Sequence, residues 1–168
     1  MKKVHFIGIG GIGISAIARF LKERDFIISG SDIADSAITK ELRASGMKIT
    51  VPHCKTAIED PDFVVYSAAI KGDNVELLEA RKRGIECLSR KEALPFILEG
   101  KRVFAVAGAH GKSTTSAMLA ALMEGSAIIG AISKEFGSNM KYEASDNLIF
   151  EADESDSSFL NSNPFLAI

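Results

Sequence analysis

The segment Gly108-Ala109-His110-Gly111-Lys112-Ser113-Thr114 carries the residue types that a triphosphate needs, in a workable order. Small residues let successive amides turn toward phosphate oxygens. Lys112 brings a cation to the β- and γ-phosphates, and the Ser113 hydroxyl can join the coordination of Mg2+. The longer Walker pattern would place a glycine where Val106 stands, so this is the short GxxGK[ST] form. His110 lies inside the loop and its role is left open. A magnesium–triphosphate site also calls for an acid at the end of a neighbouring strand. Here Glu151-Ala152-Asp153-Glu154-Ser155-Asp156 follows the apolar run Leu148–Phe150. One acid of this cluster is expected to hold the metal, against the rival reading of a solvated acidic loop.

A second glycine cluster, Gly8-Ile9-Gly10-Gly11-Ile12-Gly13, matches GxGxxG after a strand-like run. Its glycines permit a tight turn and let the backbone approach a diphosphate at a helix N-terminus. Asp32 follows the next strand, where a Rossmann domain carries its ribose-binding acid. NAD is the default ligand of this pattern, but any nucleotide diphosphate meets the same geometry. Ser31-Asp32 has a second reading, as a pair that caps a turn or helix. His5, inside the first strand, reads as a hydrogen-bonded core histidine ahead of a ligand.

The elements that must position these residues alternate in period. Val4–Ile7, Phe26–Ser29, Phe63–Tyr66, Val103–Ala107 and Leu148–Phe150 read as buried parallel strands. Ile14, Ile17, Ala18 and Leu21 fall on one helical face, as do Met118, Ala121 and Leu122. Further helices are expected over 37–45, 75–83 and 91–98. Strand–helix alternation predicts an α/β fold with a mainly parallel sheet. The expected division is at Glu99-Gly100-Lys101. A Rossmann-like domain would occupy 1–99, and 100–168 would be the first part of a P-loop ATPase domain. Phe165–Ile168 reads as a strand just beginning, which predicts more chain beyond it.

The 168 residues are 46% hydrophobic and 25% charged, the balance of a soluble globular protein. A net charge of −2 offers no basic excess for nucleic acid or an anionic membrane. No apolar run approaches the roughly 18–20 residues of a membrane span. Cys54 and Cys87 sit in no metal-ligand spacing, which fits a reduced, cytoplasmic setting.

A GxGxxG domain followed by a short phosphate loop and EADESD resembles the Mur ligase family of peptidoglycan precursor synthesis. The match is carried by His5–Gly13, Gly30-Ser31-Asp32, Ser67-Ala68-Ala69-Ile70, Gly108–Thr115 and Glu151–Phe159, in the family's order. Two departures stand out: Ala109 and Ser113 occupy positions where the family commonly has Thr. Ser113 keeps the hydroxyl, while Ala109 gives up one side-chain contact.

The resemblance implies three domains, with the third beyond Ile168. The first would hold the UDP part of a UDP-sugar, lined by Gly10, Gly11, Gly13, Asp32, Ser67, Ala68, Ala69 and Ile70. Gly108, Ala109, His110, Gly111, Lys112, Ser113 and Thr114 would bind ATP. Ser113 and Glu151 would bind Mg2+, and Lys112 and Glu151 would be the catalytic residues. The implied activity is ATP-dependent ligation of L-alanine to UDP-N-acetylmuramate through an acyl phosphate, in the cytoplasm, with neither nucleic acid nor membrane as partner. The 168 residues alone are expected to be inactive.

Rival readings each leave something unused. An NAD-dependent oxidoreductase leaves the Gly108–Thr114 loop idle, and a P-loop kinase or GTPase leaves the first domain idle. A non-catalytic nucleotide-binding module, by contrast, describes the 168 residues themselves fairly well. Within the family, a ligase that recycles murein peptides resembles the chain less at Gly8–Gly13.

Overall fold

The computed structural model describes residues 1–152 and 162–168 and divides into two compact units, Met1–Arg90 and Lys91–Ile168. In the first unit, strands β1 (Lys3–Ile7), β2 (Ile27–Ser31), β3 (Lys48–Thr50), β4 (Phe63–Tyr66) and β5 (Glu86–Ser89) form one parallel sheet in the order β3-β2-β1-β4-β5. Helices α1 (Ile12–Glu23), α2 (Ala37–Ala44) and α3 (Val75–Lys82) connect them. This is the doubly wound order of a Rossmann-like fold, and its direction of winding reverses between β1 and β4. The central strands are apolar on both faces because helices cover both: Val4, Phe6 and Ile7 of β1 are buried, as are Val64 and Val65 of β4. Ile7 and Val64 pack with Leu77 and Ala80 of α3 and with Ile58.

Helix starts follow local chemistry. Ser36 and Thr39 form a reciprocal capping box at α2. The Asn74 side chain accepts the Glu76 and Leu77 amides at α3. Gly30 in β2 is required by packing, because a Cβ there would stand 2.8 Å from the Phe6 carbonyl and 2.6 Å from Ile9.

In the second unit, α4 (Arg90–Leu98, its first residue closing the other unit) leads into β6 (Arg102–Val106) and α5 (Lys112–Leu122). Then come β7 (Ser126–Ser133), β8 (Ser138–Lys141), β9 (Asn147–Glu151) and β10 (Leu166–Ala167). The sheet order is β10-β6-β9-β7-β8, parallel except for the β7–β8 pair. Val106, Ala127, Ile129 and Ile149 pack beneath Ala120 of α5. The units divide between Arg90 and Lys91, ahead of the Glu99–Lys101 turn, so α4 groups with the strand that it enters. The strands at 48–50, 86–89, 126–133 and 138–141 extend beyond those read from the sequence, and the Phe165–Ile168 run does contain a short strand. No helix among the described residues is long and apolar enough to cross a membrane.

Candidate functional site

In the first unit a ligand cavity is expected at the point where the sheet reverses, and one of about 650 Å³ lies there. Gly8, Gly10 and Gly11 line it from the turn after β1, Asp32 from the end of β2, and Ser67, Ala69 and Ile70 from the turn after β4. The structure thus gathers Gly10, Gly11, Asp32, Ser67, Ala69 and Ile70 around one cavity. Gly13 and Ala68 are not among its lining residues. Gly13 instead lies against the Arg90 guanidinium, where a Cβ would collide with Nη1. Gly8 adopts φ +80, and a Cβ there would press on Ser67 and Ile70, so this turn needs glycine.

The loop satisfies many of its own donors. Ser31 O accepts the Gly8 and Ile9 amides, both at 2.9 Å, and Gly8 O accepts the Gly11 amide. Asp32 Oδ2 accepts the Gly10 amide at 2.7 Å, and Oδ1 accepts the Ile33 amide at 2.8 Å. A side chain on Gly10 would stand 2.8 Å from Asp32 Oδ2, so the glycine makes room for the carboxylate. Asp32 therefore engages the backbone in the capping manner, while it still lines the cavity.

Below the cavity lies a buried polar cluster. Glu76, 0% exposed, accepts the His5 Nε2 hydrogen at 3.0 Å, the Ser31 hydroxyl at 2.6 Å and the Cys54 amide at 2.8 Å. Burial pushes its carboxyl pKa up, but the bonds from His5, Ser31 and Cys54 more than offset that and hold it below the ordinary value. His5 is buried and also meets the Ser29 hydroxyl at 2.9 Å, the arrangement of a core histidine. His53, whose Nδ1 lies 2.8 Å from Ser31 Oγ, joins the cluster to the cavity wall.

The second unit builds a different site. Register pairs Val106 with Glu151 on adjacent parallel strands, so the loop after β6 and the acid ending β9 start level. Glu151 Oε1 accepts the Ser113 hydroxyl at 3.0 Å, and Oε2 accepts the Gly130 amide at 2.7 Å. A Cβ on Gly130 would stand 3.0 Å from Oε1, so glycine lets the carboxylate sit against β7. Ala109, His110, Gly111, Lys112, Ser113, Thr114 and Glu151 line a cavity of about 390 Å³. Gly108 is not in that lining. Its carbonyl accepts the Lys112 ammonium at 2.7 Å. Gly111, the residue before α5, holds φ +78, a left-handed turn that glycine enters without steric cost. Asp153, Glu154 and Asp156 lie outside the described residues.

Sequence reasoning did not reach His53, Arg90 or Gly130. Arg90 opens a helix and Gly130 sits inside a strand, so each reads locally as ordinary. Only the tertiary register brings them to Gly13 and Glu151. A signal for His53 existed in its place just past β3, at the carboxyl edge of the sheet, but that three-residue strand was itself not read.

The model of the Mur ligase family, catalytic domain, matches residues 3–102. UDP-N-acetylmuramate–L-alanine ligase of Campylobacter curvus is 76% identical over all 168 residues, which correspond to 39% of its length. The enzyme of the same name from Helicobacter pylori strain P12 is 58% identical over 99% of the chain and 37% of its own. Among solved structures, UDP-N-acetylmuramate–alanine ligase from Thermotoga maritima superposes with TM-score 0.91 at 33% identity, over 98% of this chain and 40% of that one. A UDP-N-acetylmuramate:L-alanyl-γ-D-glutamyl-meso-diaminopimelate ligase from Neisseria meningitides gives TM-score 0.90 at 27% identity, over 99% and 59%. The chain thus spans about 39% of the length of the first curated relatives it matches.

Proposed function

The chain belongs to the Mur ligase family, and from that premise we propose that it forms part of an ATP-dependent ligase joining L-alanine to UDP-N-acetylmuramate in peptidoglycan precursor synthesis. The observation that carries this reading is the presence, in one chain, of two unlike nucleotide-type clefts. One lies at the sheet reversal of the first unit, and the other pairs a phosphate loop with the Ser113–Glu151 contact. An NAD-dependent oxidoreductase has use for the first alone. The murein-peptide ligases share the fold, and the 76% identity to an L-alanine ligase favours that substrate over a peptide.

In this reading the first unit holds the UDP-sugar. The α1 N-terminus and the Arg90 guanidinium beside Gly13 supply positive potential for its diphosphate. The second unit opens the ATPase domain. Its loop amides and Lys112 bind the triphosphate, and Lys112 leaves the Gly108 carbonyl to neutralise charge on the β- and γ-phosphates. The donor set at Ser113 and Glu151 fits Mg2+, a hard cation that takes hydroxyl and carboxylate oxygens and completes its shell with water and phosphate. Such an ion would offset the charge of the transferred phosphoryl group. The lactyl carboxylate oxygen attacks the γ-phosphorus and ADP leaves. The alanine amine then attacks the resulting acyl phosphate, losing a proton as inorganic phosphate departs. The two thiols, neither in a disulfide, fit a cytoplasmic setting.

Thermal melting tests the reading. UDP-N-acetylmuramate is expected to raise the melting temperature and NADH to leave it unchanged. Stabilisation by NADH alone would overturn the assignment.

A further inference from the structure

The hydrogen-bond directions in the cluster under the first cavity are fixed by one group. Glu76 is ionised, so its oxygens only accept. Ser31 Oγ lies 2.6 Å from Glu76 Oε2 and has a single proton, which goes to that carboxylate. Towards His53 Nδ1, 2.8 Å away, Ser31 can therefore only accept. His53 must carry its hydrogen on Nδ1. In the neutral ring this leaves Nε2 as a bare lone pair, directed away from the Nδ1–H bond. Nε2 makes no hydrogen bond to any described residue, and the ring, 14% exposed, lines the cavity beside Asp32 and Asn74.

We propose that His53 reads the nucleoside of the bound nucleotide-sugar, its Nε2 accepting a hydrogen bond from an N–H or O–H group. The inference rests on the UDP-sugar reading of this cavity and adds a residue and a polarity to it. A bare ring nitrogen repels phosphate oxygens, which are themselves acceptors. The matching donors on a uridine nucleotide are the imide N–H of the base and the ribose hydroxyls. Glu76 and Ser31 act as positioning residues, holding the tautomer from beneath.

Ring 15N spectroscopy of the protein is expected to find the His53 proton on Nδ1, and a neutral ring protonated at Nε2 overturns the proposal. Calorimetric titration provides the second arm. His53→Asn places an amide donor where Nδ1 stands, keeping the Ser31 bond while removing Nε2. It is expected to bind UDP about tenfold more weakly than wild type. Three kinds of analogue, one methylated at the imide nitrogen and two each lacking one ribose hydroxyl, locate the donor. One of them loses the same factor on wild type and nothing further on His53→Asn. Equal UDP affinity in both proteins, or losses that simply add for every analogue, overturns the proposal while leaving the nucleotide-sugar reading intact. Failure of wild type to bind UDP overturns both.

Discussion

Both units set a glycine-bearing loop between a strand and the helix that follows, and they spend its amides in opposite ways. In the first, Gly8, Ile9, Gly10 and Gly11 donate to Ser31 O, Asp32 Oδ2 and Gly8 O, so the chain itself occupies the turn. In the second, among the described residues, the amides of His110, Gly111, Ser113 and Thr114 donate to no other part of the chain. The first loop is closed on itself, so on the proposed reading its fit to a ligand would depend on side chains around it, such as Arg90 and His53. The second leaves its donors available, as the proposed triphosphate site would require. The fuller motif thus marks the more self-contained turn, and the shorter one marks the more open site.

The contrast can be broken most severely at Lys112. Lys112→Ala is expected to weaken Mg-ATP binding about 100-fold, read by calorimetry, with UDP-N-acetylmuramate binding unchanged. Equal loss of both ligands would mean that the loops do not serve separate nucleotides. Glu76→Gln strikes the first unit instead, removing the charge at the hub of its cluster at a cost of about 2–3 kcal/mol in chemical denaturation. Because the Glu76 carboxyl is held below its ordinary value of 4.5, its contribution is complete above that pH. It is lost as pH falls through the lower folded value. Wild type should therefore lose stability steeply in acid, and Glu76→Gln should show a flatter acid limb. An unchanged limb would remove Glu76 from the account. The smallest effect is expected from Gly130→Ala, whose Cβ would push the Glu151 carboxylate by a few tenths of an ångström. The Mg2+ dependence of ATP binding should weaken about threefold, with a stability change of about 1 kcal/mol. A Mg2+ dependence identical to wild type would place Glu151 away from the cation.

What the sequence made legible follows from burial. β1, β4, β6 and β9 lie inside their sheets and read as continuous apolar runs. β3 and β5 are short edge strands with no fully buried residue, and β8, Ser138–Lys141, is a polar antiparallel edge. Neither composition nor period separates such segments from loops. β7 carries Gly130 in its middle, which interrupts the pattern for a reason found only in Glu151 on another strand. The same holds at the sites. Residues on the glycine loops are visible because local backbone geometry demands their types. Asp32 reads in sequence as either a ribose ligand or a cap, and its bonds to Gly10 and Ile33 come from folding of β2 beside the loop. His53 and Arg90 owe their places to neighbours distant in sequence.

The two oxygens of Glu151 join three elements: its own strand, the Ser113 hydroxyl at the start of α5, and the Gly130 amide of β7. That makes one side chain the keystone of the loop's mouth. The gap between the helix start and the sheet is bridged by a single carboxylate, which ties its width to that side chain. On the proposed reading, a nucleotide would meet a loop mouth already bounded by that carboxylate, and Lys112 would exchange the Gly108 carbonyl for phosphate.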